Sequence, residues 1–235
     1  MGRPRSPDFL DRLLDAGLAV FASQGLKRAR IGDIADRMGV AHGTVYNYVA
    51  SKEALFWLLV DRGQTEAPIA LPEELPVQAP PPARVLNRLA EQIITHFPLP
   101  ALDAALERKR ITDIRAELED VLGELYDRTL ATRQLAAAVE KSAVDLPEMF
   151  QLFFVGIRRD LFARLTRYVE HRVELGHFAN VASAEAAAHV IGETITAFAR
   201  HRFADPDPMN VDEAAIRATT IQMLIRSLIN ATDQE

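Results

Sequence analysis

The amino-acid sequence predicts an all-α protein with an N-terminal three-helix head and a larger helical body. Apolar residues recur at spacings of three and four along most of the chain, and no stretch of any length alternates apolar with polar residues. Glycines and prolines separate the helical stretches. With 235 residues, 49% of them hydrophobic, the chain is long and apolar enough to form packed cores.

The first helix is predicted from Pro7 or Asp8 to Gln24, and Gly25 ends it. Its apolar face consists of Phe9, Leu13, Ala16, Leu18, Val20 and Phe21. A fourth helix is predicted to begin near Ser51, because a serine followed by an acidic residue in the first turn is typical of a capped N terminus.

The segment between these helices, Ile31 to Phe56, predicts two short helices joined by a tight turn. Its first helix has one apolar face, formed by Ile31, Ile34, Ala35 and Met38. Gly39 ends that helix and allows a sharp bend. The next helix directs Val45 and Val49 toward the core, which leaves small, polar and aromatic residues on the other face: His42, Gly43, Thr44, Asn47 and Tyr48. Such a face fits a DNA major groove.

The same segment resembles the DNA-binding domain of the TetR family of bacterial transcriptional regulators. The residues that carry the resemblance are Ile34, Ala35, Gly39, Val40, Gly43, Thr44, Tyr46, Lys52, Glu53, Ala54, Leu55 and Phe56. A bare helix-turn-helix pattern is weak evidence, but here the preceding helix and the SKEALF sequence after the motif both fit the family. The resemblance implies a three-helix head, a connecting fourth helix and a helical body that binds an effector and dimerises.

Carried over residue by residue, the resemblance places seven residues at the DNA surface: His42, Gly43, Thr44, Tyr46, Asn47, Tyr48 and Lys52. Asn47 and His42 are expected to contact bases, while Lys52 is expected to contact a phosphate at the start of the fourth helix. Arg30 precedes the second helix and is expected to reach a phosphate or an adjacent base. Arg3 and Arg5 form a short basic arm that can track the minor groove or the backbone.

Two capping residues that are common in the family are absent. Arg30 and Ala41 stand where many members have serine or threonine, so a capping hydroxyl is missing before both helices of the motif. Val49 replaces a frequent phenylalanine. These departures affect individual contacts and leave the motif intact.

The charge of the chain is distributed unevenly. The net charge is −6, yet residues 1–62 carry nine basic and seven acidic side chains, while the rest carry 18 basic and 26 acidic. A mildly basic head on an acidic body suits a protein that brings one end to DNA phosphates.

Six prolines between Ala67 and Pro82 exclude an ordinary helix there and predict a linker. We therefore predict a head at 1–50, a connecting helix at 51–66, a proline-rich linker at 67–82 and a ligand-binding and dimerisation domain at 83–235. Helices of that domain are predicted at 83–97, 101–112, 114–140, 147–175, 183–203 and 211–231.

Two apolar stripes on the last two helices predict a homodimer interface, which the resemblance also implies. Its predicted residues are Ala187, Val190, Ile191, Phe198, Ile221, Leu224 and Leu228. The central helices supply candidates for the wall of an effector pocket: Phe97, Leu106, Tyr126, Phe150, Phe153, Phe154 and Ile157. Because few charges lie on these faces, the expected effector is small and mostly apolar. We expect a repressor that such a ligand releases from double-stranded operator DNA.

Other classes fit the sequence less well. Glu174 and His177 form a fragment of a di-iron bundle site, but no second copy is found, so a helical metal-dependent enzyme or carrier is disfavoured. The chain has no cysteine, Gly-x-Ser-x-Gly turn or Walker loop, and we expect neither enzymatic activity nor a cofactor. A ligand-independent DNA-binding protein stays a further alternative, which the large acidic body argues against. No apolar run reaches the length of a membrane span, and a cytoplasmic location is expected.

Overall fold

The computed structural model describes residues 6–63, 70–96, 98–207 and 210–229. Its α-helices are α1 (Pro7–Arg28), α2 (Ile31–Met38), α3 (His42–Tyr46), α4 (Lys52–Arg62), α5 (Pro82–His96), α6 (Pro100–Glu107), α7 (Ile114–Ala143), α8 (Pro147–Phe150), α9 (Arg159–Glu174), α10 (Ala184–Ala199) and α11 (Glu213–Leu228). Within these described ranges the only β pairings are two isolated bridges, and the predicted all-α fold is confirmed. Arg3, Arg5 and Phe97 lie outside the described residues.

Several predicted helix bounds differ from the observed ones. The helix predicted at 147–175 contains a π-helical segment, Gln151–Arg158, between α8 and α9. The helix predicted at 183–203 ends at Ala199, and a short 3-10 helix, His201–Ala204, follows it. The helix predicted at 101–112 already ends at Glu107. Apolar spacing predicts the interior of a helix better than its ends, because the position of each end depends on caps and turns.

The chain forms two compact units. Unit 1 consists of Met1–Phe97 and Gln134–Val155, and unit 2 consists of Pro98–Arg133 and Gly156–Glu235. Both units therefore contain parts of α7. Unit 1 includes the described part of the proline-rich segment, whereas we expected that segment to mark a boundary. The predicted domain boundaries after residues 50, 66 and 82 stay a prediction.

Unit 1 has one hydrophobic core, which unites the head with the end of α7. Phe21 of α1 meets Phe56 of α4 edge to face, with ring centroids 5.4 Å apart. The fully buried side chains of the head include Leu10, Leu13, Leu14, Ile34, Val45, Val49 and Leu55. Ala138, Val139 and Ala143 of α7 join the same core. The head is thus stabilised by burial against a helix that lies far from it in sequence.

Gly25 allows α1 to approach the end of α7 very closely. It interrupts α1 with φ 76° and ψ 161°, and helical geometry resumes through Arg28. A Cβ atom at this position would lie 2.7 Å from the carbonyl oxygen of Lys141. The Leu26 N–H donates to Ser142 Oγ at 2.9 Å, and Arg28 forms an ion pair with Asp145 at 2.7 Å. Gly25, which was predicted to end the first helix, therefore interrupts α1 instead and serves as a docking point on α7.

Unit 2 is organised around a buried ion pair. Arg172 of α9 is fully buried, and its Nε donates to Glu117 Oε1 of α7 at 2.7 Å. Its Nη2 donates to the carbonyl oxygen of Ala105 in α6. The Tyr168 hydroxyl also donates to Glu117, and burial is the main cause of the raised pKa of Tyr168. Because the buried charges are paired and hydrogen-bonded, this network fixes α6, α7 and α9 to one another.

Glu174 and His177 do not share a helical face, contrary to the arrangement considered for a di-iron fragment. Glu174 is the last residue of α9, and Gly176 follows with φ 77°. His177 lies beyond that turn, where its N–H donates to the carbonyl oxygen of Arg172 at 3.0 Å. Among the described residues no cluster of three or more His, Cys, Asp or Glu side chains is arranged to hold a metal ion. None of the described helices is long and apolar enough to cross a membrane.

Replacing Gly25 with alanine is expected to destabilise the protein much more than replacing Gly39. Gly39 has φ 66°, and a Cβ atom added there would meet nothing within 4 Å, so Gly39→Ala bears only the backbone strain of about 1–2 kcal/mol. Gly25→Ala adds a clash with the Lys141 carbonyl in a backbone region almost restricted to glycine, and should cost at least about 3 kcal/mol. Urea unfolding of both variants measures the difference, and equal losses would contradict the docking role.

Candidate nucleic-acid interface

The turn between α2 and α3 follows the pattern expected from the sequence. Gly39 adopts the left-handed conformation, with φ 66° and ψ 38°, and ends α2. The N–H of Val40 then donates to the carbonyl oxygen of Ala35 at 3.0 Å, which closes the turn. These bonds satisfy carbonyl groups at the end of α2 and fix the angle at which α3 leaves it.

An acidic residue compensates for the missing hydroxyl before α2. The backbone N–H of Arg30 donates to Asp33 Oδ2 at 3.1 Å, so the Asp33 carboxylate takes part in capping the helix. Ala41 before α3 makes no side-chain cap, as its sequence position indicated. Ser51 caps α4 as predicted, since Ser51 Oγ accepts a hydrogen bond from the Ala54 N–H at 3.2 Å.

α3 is only five residues long and has one buried and one exposed side. Val45 and Val49 are fully buried, as predicted. His42, Gly43 and Asn47 are exposed, Thr44 is half-buried, and 49% of Tyr46 is exposed. The exposed side therefore presents imidazole, hydroxyl and amide groups next to a glycine that permits close approach, which are the groups that read base edges and hold phosphates.

Tyr48 does not lie on that exposed side, and its expected position at the DNA surface is wrong. Only 5% of the residue is exposed, and its ring stacks on Phe9 with centroids 4.6 Å apart. Its hydroxyl oxygen accepts a hydrogen bond from the Ser6 N–H at 2.9 Å. The physical reason is the helical spacing, because position 48 follows Val45 by three residues and turns toward the same core.

Lys52, which is expected to lie near DNA, also makes contacts within the protein. Its ammonium donates to the carbonyl oxygens of Lys27 at 2.8 Å and Ala29 at 3.1 Å. These carbonyls lie at the end of α1, where helical partners are missing. Lys52 thus ties the start of α4 to the end of α1, and its contact with a phosphate stays a prediction.

Two arginines flank the exposed side of the motif. Arg30 and Arg37 are both exposed, at the start and near the end of α2. His42 lies beside Asp36, with His42 Nε2 3.8 Å from Asp36 Oδ1. The exposed groups of the motif therefore include two arginines, which suit phosphate contacts, and one carboxylate, Asp36, beside His42.

The comparison with known families decides the identity of this head. Residues 13–57 match the family model of the bacterial regulatory proteins of the tetR family. This segment of the chain is therefore similar to the TetR-family DNA-binding domain. The match spans most of α1, the helix-turn-helix motif and the first half of α4, so the part of the chain that carries α3 is similar to the DNA-binding head of bacterial regulatory proteins of the tetR family.

Solved structures share the whole fold. A tetR-family regulatory protein from Rhodococcus has 21% identity and a TM-score of 0.54, over 94% of this chain and 97% of that chain. A ketosteroid transcriptional regulator of Mycobacterium tuberculosis has 14% identity and a TM-score of 0.58, over 97% and 98%. A TetR regulator from Chloroflexus aurantiacus has 20% identity and a TM-score of 0.50, over 94% and 93%. No curated protein matches the chain.

The residues predicted for the dimer interface divide into two groups. Ile191, Ile221, Leu224 and Leu228 are buried within unit 2, where they pack α10 and α11 into its core. Val190 is 61% exposed and Phe198 is 44% exposed, and Ala187 is half-buried. Met223 of α11, which was not among the predicted residues, is 67% exposed. Fewer side chains are therefore available to contact a second copy than the apolar stripes of the sequence predict.

The residues predicted for the effector pocket fall in both units. Phe150, Phe153 and Phe154 belong to unit 1, where the Phe154 ring lies 4.9 Å from Phe150 and 5.0 Å from Phe153. Leu106, Tyr126 and Ile157 belong to unit 2. Tyr126 is fully buried and its hydroxyl donates to Glu213 Oε1 at 2.8 Å, so it serves the core of that unit.

Val77 contacts the motif, although the sequence does not single it out. Val77 lies in the proline-rich segment, and its backbone forms hydrogen bonds with Tyr48 and Ala50. A single valine among prolines carries no periodic signal, so only its apolar character pointed to contact with the head.

The two tyrosines of the motif are expected to contribute differently to the free energy of unfolding. Tyr48→Phe removes the acceptor of the Ser6 N–H and should lower the free energy of unfolding by about 1 kcal/mol. Tyr46→Phe changes an exposed side chain and should leave that free energy within about 0.5 kcal/mol. Urea unfolding compares the pair, and a larger loss for Tyr46→Phe would contradict the assigned burial.

Proposed function

We propose that the protein is a homodimeric repressor that binds a pseudo-palindromic operator and leaves it when a small, mostly apolar molecule binds to its body. The observation that carries this proposal is the exposed side of α3, which holds His42, Thr44, Tyr46 and Asn47 while the opposite side is locked in the core. A two-fold symmetric operator requires two such heads at a fixed separation.

Asn47 and His42 are the proposed base contacts. Asn47 is exposed at the end of α3, and an asparagine amide can donate to and accept from one adenine edge. Arg30, Tyr46 and Lys52 are proposed to hold phosphates, and Gly43 and Thr44 to permit close approach and contact with a thymine methyl.

The proposed dimer uses the exposed apolar side chains of α10 and α11. Val190 and Phe198 lie on α10, and Met223 lies on α11. Large apolar side chains exposed together on a protein surface favour association with a second surface. An interface made by the same patch on both copies gives the two-fold symmetry that the operator requires.

The proposed effector contacts include the aromatic cluster of Phe150, Phe153 and Phe154. Phe153 and Phe154 lie in the π-helical segment, and π-helical turns are frequent at functional sites. Phe150 is 42% exposed, and the other two rings are half-buried. Partly exposed rings of this kind favour an apolar ligand.

The variant Asn47→Ala is expected to lower affinity for the operator about tenfold to a hundredfold, because one bidentate base contact contributes about 1–3 kcal/mol of discrimination. Since Asn47 carries no charge, the dependence of affinity on salt should stay unchanged. Arg30→Ala should instead weaken binding to all sequences and reduce that dependence. Fluorescence anisotropy over a range of salt concentrations distinguishes the two, and full operator affinity in Asn47→Ala would contradict the base contact.

The variant Val190→Glu is expected to dissociate the dimer, because it places a charge in an apolar interface. Val144→Glu is the matched control, since Val144 is 67% exposed and Val190 is 61% exposed, yet only Val190 lies on α10. Analytical ultracentrifugation should show a monomer for the first variant and a dimer for the second. A dimer in both would place the interface elsewhere.

Selection of bound fragments from a random DNA pool tests the function as a whole. The proposal expects enrichment of a two-fold symmetric sequence, and release of that sequence by apolar metabolites in a subsequent screen. Failure to enrich any sequence would contradict the proposed DNA recognition. Enrichment without release by any apolar compound would favour a ligand-independent DNA-binding protein.

A further inference from the structure

The described part of the proline-rich segment, residues 70–81, is fixed to the DNA-binding motif. We call these residues the proline strap. The Val77 N–H donates to the carbonyl oxygen of Tyr48 at 2.8 Å, and the Ala50 N–H donates to the carbonyl oxygen of Val77 at 2.9 Å. Val77 and Val49 thereby form a parallel β-bridge. The side chains of Leu71, Leu75 and Val77 pack against the core of unit 1.

The attachment point is the short connection between α3 and α4. α3 ends at Tyr46 and α4 begins at Lys52, so residues 47–51 set the angle between the two helices. The backbone groups that the strap engages belong to Tyr48 and Ala50, on either side of the buried Val49. A hydrogen bond from the strap at each of these positions restrains the connection between α3 and α4.

The course of α5 explains why the strap returns to this point. The guanidinium of Arg84 lies over the Trp57 ring at 5.2 Å, and Arg88 Nε donates to Asp61 Oδ1 at 3.1 Å. Further along, the Gln92 amide donates to the carbonyl oxygen of Asp61 at 3.3 Å. From the first pair to the second, the contact advances by four residues on each helix, so α5 runs parallel to α4. The chain must therefore return from the end of α4 to its beginning, a distance of about 16 Å for a helix of 11 residues.

We propose that Val77 is a positioning residue for DNA recognition: through its two backbone hydrogen bonds, the strap fixes the recognition helix α3 at the angle that reads bases. Val77 acts through Tyr48 and Ala50 and makes no contact with DNA itself. A five-residue helix has too few internal bonds to hold its own direction. The strap adds a further attachment for α3, besides the core contacts of Val45 and Val49, and it leads directly into α5.

This inference rests on the proposed recognition of DNA, and its experiment separates recognition from affinity. Val77→Pro removes the N–H that binds Tyr48. Val77→Ala keeps both backbone hydrogen bonds and removes only the branched side chain. Ala79→Pro adds a proline to an exposed position of the same strap. Each variant is measured against two duplexes of equal length, one selected from a random pool by the wild-type protein and one with the same bases in scrambled order.

Val77→Pro should lose about tenfold in affinity for the selected duplex and keep its affinity for the scrambled duplex, because base contacts depend on the angle of α3 more than phosphate contacts do. Val77→Ala and Ala79→Pro should keep the wild-type ratio of the two affinities. An unchanged ratio in Val77→Pro overturns the proposal, and so does an equal loss on both duplexes, since that result indicates a merely structural role. If the wild-type protein selects no sequence at all, the proposed function fails instead.

Hydrogen exchange of the wild-type protein gives a result that does not depend on how the variants fold. Bound to the selected duplex, the amides of Val77 and Ala50 should exchange at least about tenfold more slowly than the amide of the exposed Ala79. Exchange of all three amides at the same rate in the DNA-bound protein would show that the strap leaves the motif on binding, and would overturn the proposal.

Discussion

The proposed DNA-reading surface depends on tertiary contacts, because the helix that carries it cannot be stable alone. α3 contains five residues, and isolated helices of that length do not form in water. Its direction is set by Val45 and Val49 in the core, by the αL turn at Gly39 and by the stacking of Tyr48 on Phe9. Every exposed group on α3 is therefore positioned by residues that lie outside the proposed DNA-reading surface.

Stability and recognition are assigned to different side chains within the same short segment. Tyr46 and Asn47 are exposed, whereas Tyr48 completes the core and accepts a hydrogen bond from Ser6. Lys52 stabilises the head, because its ammonium binds two carbonyls at the end of α1, and it is also a proposed phosphate contact. A phosphate near Lys52 would add to these contacts or compete with them, so loss of this lysine would alter both the head and its binding.

The local features of the chain could be predicted from the sequence, and the long-range ones could not. Helical spacing, the left-handed Gly39 and the cap at Ser51 all depend on neighbouring residues, and the structure agrees with each. Gly25 leaves helical geometry as predicted, but α1 resumes after it and ends at Arg28. The docking of Gly25 on Lys141 and Ser142 joins segments whose hydrogen-bonded residues are 116 positions apart, and no local pattern signals it. The stripes of α10 and α11 were recognised, but the pattern does not distinguish a side chain buried in its own unit, such as Ile191, from an exposed one, such as Val190.

The parallel course of α4 and α5 has a consequence for the order of folding. In an antiparallel helix pair the nearest contacts form across a short loop, but here the ion pair of Asp61 and Arg88 joins residues 27 positions apart. Closing a longer loop costs more chain entropy, and contacts of greater sequence separation form more slowly. The local contacts among α1, α2, α3 and α4 can form without that closure, so we expect these four helices to meet before α5 packs against α4.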